Sequence, residues 1–448
     1  MAPWLNTSPL LTDLYELTMS QVYVERDMFA PATFSLFVRK LPPNRSFLLA
    51  AGLWPLLEVL KELRFSEEDL AYLESLDLFK PHFLDYLKNF RFTGEVWALP
   101  EGTVFFENEP LVEITAPLPE AQMVETLVIN ILNIETTVAT KAALCVMAAE
   151  GRPCVDFGAR RTQGLEASLH AARASYIAGF NATSNVLAGK LFGIPVAGTM
   201  AHSYVESFPN EEEAFLAFAE NFPQNPVFLI DTYHTLRGAE KAARVAKVLS
   251  EKGIRVRGVR LDSGEVVELS RRVRKLLDKA GFPEMKIFVS GGLDEVRIAE
   301  IVSSRAPVDA FGVGTKMGVS ADAPYLDLAY KLVEYDGRPR LKLSEGKVTY
   351  PGRKQVFRRF DSSGHFYEDE VGLREEGLKG TPLLECFLRA GRLLKKKPSL
   401  MEIRERAGEG LKILPEDLRR GRRMFLPRIS EKLKRLCLET VEAIKKTL

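Results

Sequence analysis

The stretch "CVDFGARRTQG", residues 154–164, sets a short apolar strand ahead of a turn in which two adjacent arginines, Arg160 and Arg161, stand between two glycines. An arginine pair at a strand end is either a surface accident or a grip for a strongly anionic group. The pattern around it recurs. From about residue 151 to 320 the chain alternates short apolar strand, polar or glycine-rich turn, and helix. The strand ends read "CVDFGARRTQG", "GFNATSN", "VAGTMAHS", "VFLIDTYHT", "RGVRLDSGE", "IFVSGGLDE" and "AFGVGTKMG". Seven strands with helices between them imply parallel pairing, because each return crossing needs a helix. Two of the helices are plain: residues 237–252 and 265–280 carry apolar residues at helical spacing and stop near Gly253 and Gly281. The unusual chemistry follows the strands and never precedes them. A (β/α) barrel builds its active site from those carboxyl-end loops, and a doubly wound open sheet would place a ligand at the same ends.

Outside this middle segment the period changes. Residues 32–38, 94–115 and 330–360 alternate and carry turn residues, which predicts antiparallel strands. A long helix is expected over about 119–150, leading into the barrel, and a basic amphipathic surface helix from about 427. The expected domains are 1–118, 119–325 and 326–448, with the first and last returning to one antiparallel β domain.

Composition narrows the function classes. With 61 basic and 60 acidic side chains the net charge is +1, so there is no global pull toward nucleic acid or an anionic membrane, and an anion site must be local. The apolar run "FLLAAGLWPLL" from Phe47 is shorter than the roughly 18 residues of a membrane span. The first residues lack the basic flank and cleavage pattern of a signal peptide, so a cytoplasmic protein is expected. Cys145, Cys154, Cys386 and Cys437 form no C-x-x-C pair, against a zinc site or a disulfide scaffold.

Candidate site residues lie at the strand ends. Ser290, Gly291 and Gly292 form one turn, and Gly312, Gly314 and Thr315 another. Glycine turns that lead into helices cradle phosphate, and this late pair has the usual barrel position for it, with tight packing as the plain alternative. In "RLDSG" alternation points Arg260 and Asp262 the same way. They read either as a structural ion pair or as functional groups, with Asp262 on ribose hydroxyls or Mg²⁺ and Arg260 clamping a carboxylate or phosphate. "GTMAHS" places His202 after the third strand, near Thr199 and Ser203, and so among these groups. His82, His170 and His365 carry no such context, and His234, in "DTYHT", is intermediate. No G-x-S-x-G, H-E-x-x-H, P-loop or G-x-G-x-x-G motif occurs. Near the start, "TDLYELTM" opens a helix with Asp13 as N-cap and Glu16 completing a near capping box.

Taken in order, "TDLYELTM", "DFGARRTQG", "ATSN", "GTMAHS", "VRLDSG" and "FGVGT" resemble the nicotinate phosphoribosyltransferase family over the first 330 residues or so. The resemblance implies a type II phosphoribosyltransferase fold: an irregular α/β barrel joined to an antiparallel β domain drawn from both chain ends. It implies transfer from phosphoribosyl pyrophosphate to nicotinate, yielding nicotinate mononucleotide and pyrophosphate, with ATP hydrolysis coupled through a phosphohistidine at His202 and with Mg²⁺ alongside the substrate near Asp262. Asp13 and Tyr15 would reach the substrate, Tyr15 stacking on the pyridine ring. Ser184, Thr199 and Arg260 would line the nicotinate pocket, and the Ser290–Gly292 and Gly312–Thr315 turns would hold the 5′-phosphate. Arg160 and Arg161 would face pyrophosphate. A neighbouring carboxylate, Asp231 or Asp262, should orient His202. The family's sites lie at a dimer interface, so Tyr15 would serve a neighbouring subunit. Rivals are nicotinamide and quinolinate phosphoribosyltransferases and a non-transferase sugar-phosphate-binding barrel. Ser184, where an acidic residue would suit an amide donor, and the cation at Arg260 favour an acid substrate.

Overall fold

A computed structural model describes residues 8–343 and 349–447. The chain divides into two units, Lys141–Asp322, and Met1–Thr140 together with Ala323–Leu448.

The first unit is the parallel one. Its strands are β1 (Cys154–Asp156), β2 (Ala182–Thr183), β3 (Val227–Leu229), β4 (Gly258–Leu261), β5 (Lys286–Val289) and β6 (Ala310–Val313), in the order β2-β1-β6-β5-β4-β3. Every ladder among them is parallel. The strand expected in "VAGTMAHS" shrinks to a single parallel bridge between Val196 and Thr183. Pro195 has no N–H to give and Gly198 follows closely, so little can pair there beyond Val196 itself. The sheet therefore stops at the Val196 segment on one side and at β3 on the other. Its inner residues are apolar and closed off: Phe228, Leu229, Val259, Leu261, Ile287, Val289, Phe311 and Val313 are all fully buried. The two expected helices run over Thr235–Glu251 and Val266–Lys279, and bury Ala242, Ala246, Leu249, Val273 and Leu277.

The second unit is built from both ends of the chain. Pro31–Val38 pairs antiparallel with Leu328–Tyr335 and with Pro110–Pro117, which pairs with Glu95–Ala98. Glu385–Arg389 adds to that sheet, while Lys354–Phe360 and Phe366–Leu373 form a hairpin in another. The alternating segments of the sequence are thus antiparallel strands. The unit boundary falls inside the long helix Glu125–Ala148 and not before it. Its physical reason is visible in two threonines: Thr136 Oγ1 and Thr140 Oγ1 accept hydrogen bonds from Ala51 N (3.4 Å) and Leu49 N (3.0 Å), which ties most of the helix to the antiparallel unit. The span Leu118–Ala148 has the length and apolarity of a membrane helix, but 67% of its most apolar window is buried within the protein.

The opening helix covers Leu14–Glu25. Asp13 occupies the N-cap position without a side-chain capping bond. Glu16 does not complete a capping box. Its carboxylate instead accepts from Thr12 Oγ1 (2.8 Å), Thr126 N (3.0 Å) and Thr126 Oγ1 (2.5 Å). Burial is what pushes its pKa up, and the three donors explain why a fully buried carboxylate is tolerated. The basic C-terminal helix is Glu431–Lys445, capped by Ser430 Oγ on Leu433 N.

Candidate active site

At the carboxyl end of β1, Asp156 is only 1% exposed. Its Oδ1 accepts from Gly158 N (2.7 Å) and its Oδ2 from Thr183 Oγ1 (2.7 Å). Its main-chain carbonyl accepts from Ser184 N (2.8 Å). One carboxylate thus fastens the turn bearing Arg160 and Arg161 to the loop bearing Ser184. Burial raises its pKa against the two donors that lower it. Arg160 and Arg161 are exposed, and among the described residues neither guanidinium has a partner.

Arg260, at the end of β4, ties several loops together. Nη1 donates to Thr199 Oγ1 (2.8 Å) and to the Met200 carbonyl (3.2 Å), and Nη2 to Asp262 Oδ1 (3.2 Å). The guanidinium carbon lies 5.6 Å from the centre of the Phe157 ring. Nε is buried with no partner. The side chain is 12% exposed, and a guanidinium that well enclosed keeps an unused donor only at a cost. Asp262 also accepts from Ser290 Oγ (2.5 Å). Burial alone would raise its pKa; the Ser290 hydroxyl, the Arg260 charge and nearby His202 outweigh it and hold the carboxyl below its ordinary value. Asp262 is thus the ion-pair partner of Arg260 and also lies at the strand mouth.

His202 opens a short helix, His202–Glu206. Its Nδ1 lies 3.2 Å from Thr232 Oγ1. Among the described residues no carboxylate holds the ring by a hydrogen bond. Asp231, one of the two expected candidates, spends its Oδ2 on Asp262 N (2.8 Å) and Ser263 Oγ (2.6 Å), and its Oδ1 is buried without a partner. The residue after the expected one does the orienting.

The two glycine turns follow β5 and β6. Gly291 has φ +85°, and a Cβ there would stand 1.9 Å from the Asp262 carbonyl oxygen. At Gly314 a Cβ would come within 2.8 Å of the Phe157 carbonyl oxygen. Both close approaches demand glycine, so each turn is pinned to the loop that carries a charged site residue. Thr315 begins the short helix Thr315–Gly318, and Ser290 N donates to the Leu261 carbonyl (2.8 Å).

The parallel unit therefore brings Arg160, Arg161, Ser184, Thr199, His202, Arg260, Asp262 and both glycine turns to one end of one sheet. Asp13 and Tyr15 belong to the other unit, on its opening helix, where Tyr15 is 45% exposed. Sequence reading missed Asp156, Thr183, Thr232 and Phe157 as site-forming residues. A carboxylate ending the apolar triplet "CVD" was the available signal for Asp156; Thr232 offered none.

An irregular α/β barrel with a separate antiparallel domain is the fold of the type II phosphoribosyltransferases, and the class of protein is a transferase. Residues 10–133 match the nicotinate phosphoribosyltransferase N-terminal domain and residues 153–347 the nicotinate phosphoribosyltransferase family. Nicotinate phosphoribosyltransferase pncB2 of Mycobacterium tuberculosis is 50% identical over 415 residues, 92% of this chain and 89% of its own. The Bacillus subtilis nicotinate phosphoribosyltransferase is 40% identical over 387 residues, 84% and 79%. Human nicotinic acid phosphoribosyltransferase superposes with a TM-score of 0.86 at 31% identity, covering 96% of this chain and 99% of that one. The nicotinate-nucleotide pyrophosphorylase of Pyrococcus furiosus gives 0.74 at 28%, covering 90% and 95%. The chain belongs to the nicotinate phosphoribosyltransferase family.

Proposed function

We propose that the protein transfers the phosphoribosyl group of phosphoribosyl pyrophosphate to the ring nitrogen of nicotinate, and that ATP hydrolysis drives the step through a phosphohistidine at His202. The observation that carries this is Arg260: a nearly enclosed guanidinium joined to Thr199 and Asp262, with a buried donor still unused. The positive charge of such a guanidinium suits the carboxylate of an acid substrate and gives nothing particular to an amide. Family membership and the named relatives support the same substrate class.

In the transfer, the bond from nicotinate nitrogen to C1 forms as the bond from C1 to pyrophosphate breaks. Positive charge grows on the ribose and negative charge on the leaving group. Arg160 and Arg161, both without a partner among the described residues, supply positive charge for the latter. The turns at Ser290–Gly292 and Gly312–Thr315 hold the 5′-phosphate. Tyr15 stacks on the pyridine ring from a second copy of the chain; the exposure of Leu11, Leu14, Tyr15 and Val22 on and beside the opening helix supports a homodimer with shared sites.

His202 Nδ1 is engaged by Thr232, which leaves Nε2 to attack the γ-phosphoryl of ATP and release ADP. Water later returns the imidazole and frees phosphate. Mg²⁺ fits this site: Asp231 has an orphaned buried oxygen and Asp262 stands beside it. Two carboxylates with the rest from phosphate and water is the mode Mg²⁺ prefers. Asp231 and Asp262 would hold the ion, which neutralises pyrophosphate charge when bound. The four free thiols suit a reducing compartment such as the cytoplasm.

The test is turnover with nicotinate, nicotinamide and quinolinate, each with and without ATP, with mass spectrometry after γ-labelled ATP. Label on His202 and ATP-stimulated turnover of nicotinate alone are expected. The His202→Ala variant should lose ATP coupling yet retain some ATP-independent transfer. A variant with coupling intact, or a preference for an amide or dicarboxylate, refutes the assignment.

A further inference from the structure

Pairing between β5 and β6 ends at Val289 and Phe311, so that ladder does not itself fix the spacing of the two glycine turns that follow. Two lysines span the gap. On the outside, Lys316, next to Thr315, places Nζ 2.7 Å from Asp294 Oδ2, and Asp294 Oδ1 caps the helix Glu295–Ser303 by accepting from Arg297 N (2.9 Å). On the inside, Lys141 is 2% exposed. Its Nζ lies 2.6 Å from a carboxylate oxygen of Glu295, the first residue of that helix, and 2.6 Å from Asp322 Oδ1, in the loop past the helix Thr315–Gly318. One carboxylate comes from each turn's trailing segment.

Burying an ammonium group is expensive, and an apolar residue of like volume would fill the same space more cheaply. What an apolar filler could not do is fix two backbone segments by charge at a set distance. We propose that Lys141 is a positioning residue for phosphate recognition: by gripping Glu295 and Asp322 together it holds the Ser290–Gly292 and Gly312–Thr315 turns at the separation at which both donate to one phosphate. The inference rests on the reading of these turns as the 5′-phosphate site.

Lys141→Met leaves two carboxylates facing each other in the interior, so a second variant, Lys141→Met with Glu295→Gln and Asp322→Asn, removes the charges together and keeps the shape. In whichever variant folds, judged by circular dichroism and Tm, KM for phosphoribosyl pyrophosphate should rise about tenfold or more. Here kcat should stay within about threefold and KM for nicotinate should not move. Calorimetry with ribose 5-phosphate should show binding weakened by the same factor, a tenfold change corresponding to about 1.4 kcal/mol. A folded variant that binds ribose 5-phosphate and phosphoribosyl pyrophosphate like the wild type overturns the proposal. So does a loss spread evenly over kcat and both KM values, which marks general loosening. Failure of the wild type itself to bind ribose 5-phosphate sinks the phosphate assignment, and this proposal with it, and is distinguishable because no variant is involved.

Discussion

Arg260 shows why identity matters at a single position. Its Nη1 serves Thr199 and Met200 while Nη2 serves Asp262, a geometry that needs a planar fork. Lysine keeps the charge and loses the fork. Charged hydrogen bonds are worth about 1.5–3 kcal/mol each, so Arg260→Lys should lower kcat/KM for nicotinate by roughly 10- to 100-fold, as steady-state kinetics would show. Wild-type values in that variant would mean that charge alone suffices. Alternation along "RLDSG" made the shared direction of Arg260 and Asp262 legible. The link to Thr199 was not, because its partners lie 61 residues apart and no local pattern encodes which loops meet. The same blindness misplaced the support of His202. Beyond Leu229 the chain leaves the strand, alternation no longer assigns directions, and Thr232 rather than Asp231 faces the ring.

Strand ends and turns carry the next level. Gly291 sits at φ +85° against the Asp262 carbonyl, so Gly291→Ala must either displace that carbonyl or move the turn. The expected result is a turnover loss of about 100-fold, since a shift of about 1 Å in positioning groups has that scale. Gly292→Ala, with open space around its Cβ, meets only the left-handed penalty of about 1–2 kcal/mol. Equal activity in the two variants would remove the close approach from the explanation. The helices at Thr235–Glu251 and Val266–Lys279 fell within two residues of their expected limits because apolar spacing and a terminal glycine are local signals. The third strand failed for an equally local reason that apolar content concealed, the missing donor at Pro195. The capping box expected at the opening helix failed for a tertiary one: Glu16 satisfies Thr126, 110 residues away, in preference to its own N-cap.

Across the whole molecule, the antiparallel unit buries charge as well as apolar surface. Arg358 forks onto Asp369 at 2.9 and 2.6 Å, and Glu109 lies fully enclosed beside them with Oε2 accepting from Phe106 N. Burial, then the Asp369 charge, pushes the Glu109 carboxyl well above its ordinary value of 4.5. The unfolded chain sheds that proton from pH 4.5 upward while the folded chain keeps it. Its contribution to stability is therefore complete below pH 4.5 and declines as pH rises. Glu109→Gln has no proton to take up and can donate to Asp369 in its place. A gain on the order of 1 kcal/mol at pH 8 is expected, read as a Tm rise of about 2–4 °C that fades toward pH 4.5. A gain independent of pH would contradict the proton account. Alternation in "TVFFENEPLVEIT" displayed strands plainly enough, whereas "HFYEDEV" lies beyond the segments read as strands, and neither gave a sign that its acids point inward, since an inward acid and a solvated one look alike in a single sequence. The domain limits slipped for a related reason: the long helix is apolar all round, so its pattern does not say which unit each turn belongs to.

The parallel sheet never closes through its backbone: between the Val196 segment and β3 the hoop is completed by Arg260 reaching Thr199 and Met200, and by His202 meeting Thr232. In the proposed reaction Arg260 and His202, two fasteners of the ring, are also the reagents. On that proposal, a change that retunes which pyridine acid is accepted must also re-tie the hoop, which leaves this protein's selectivity a narrow path along which to drift.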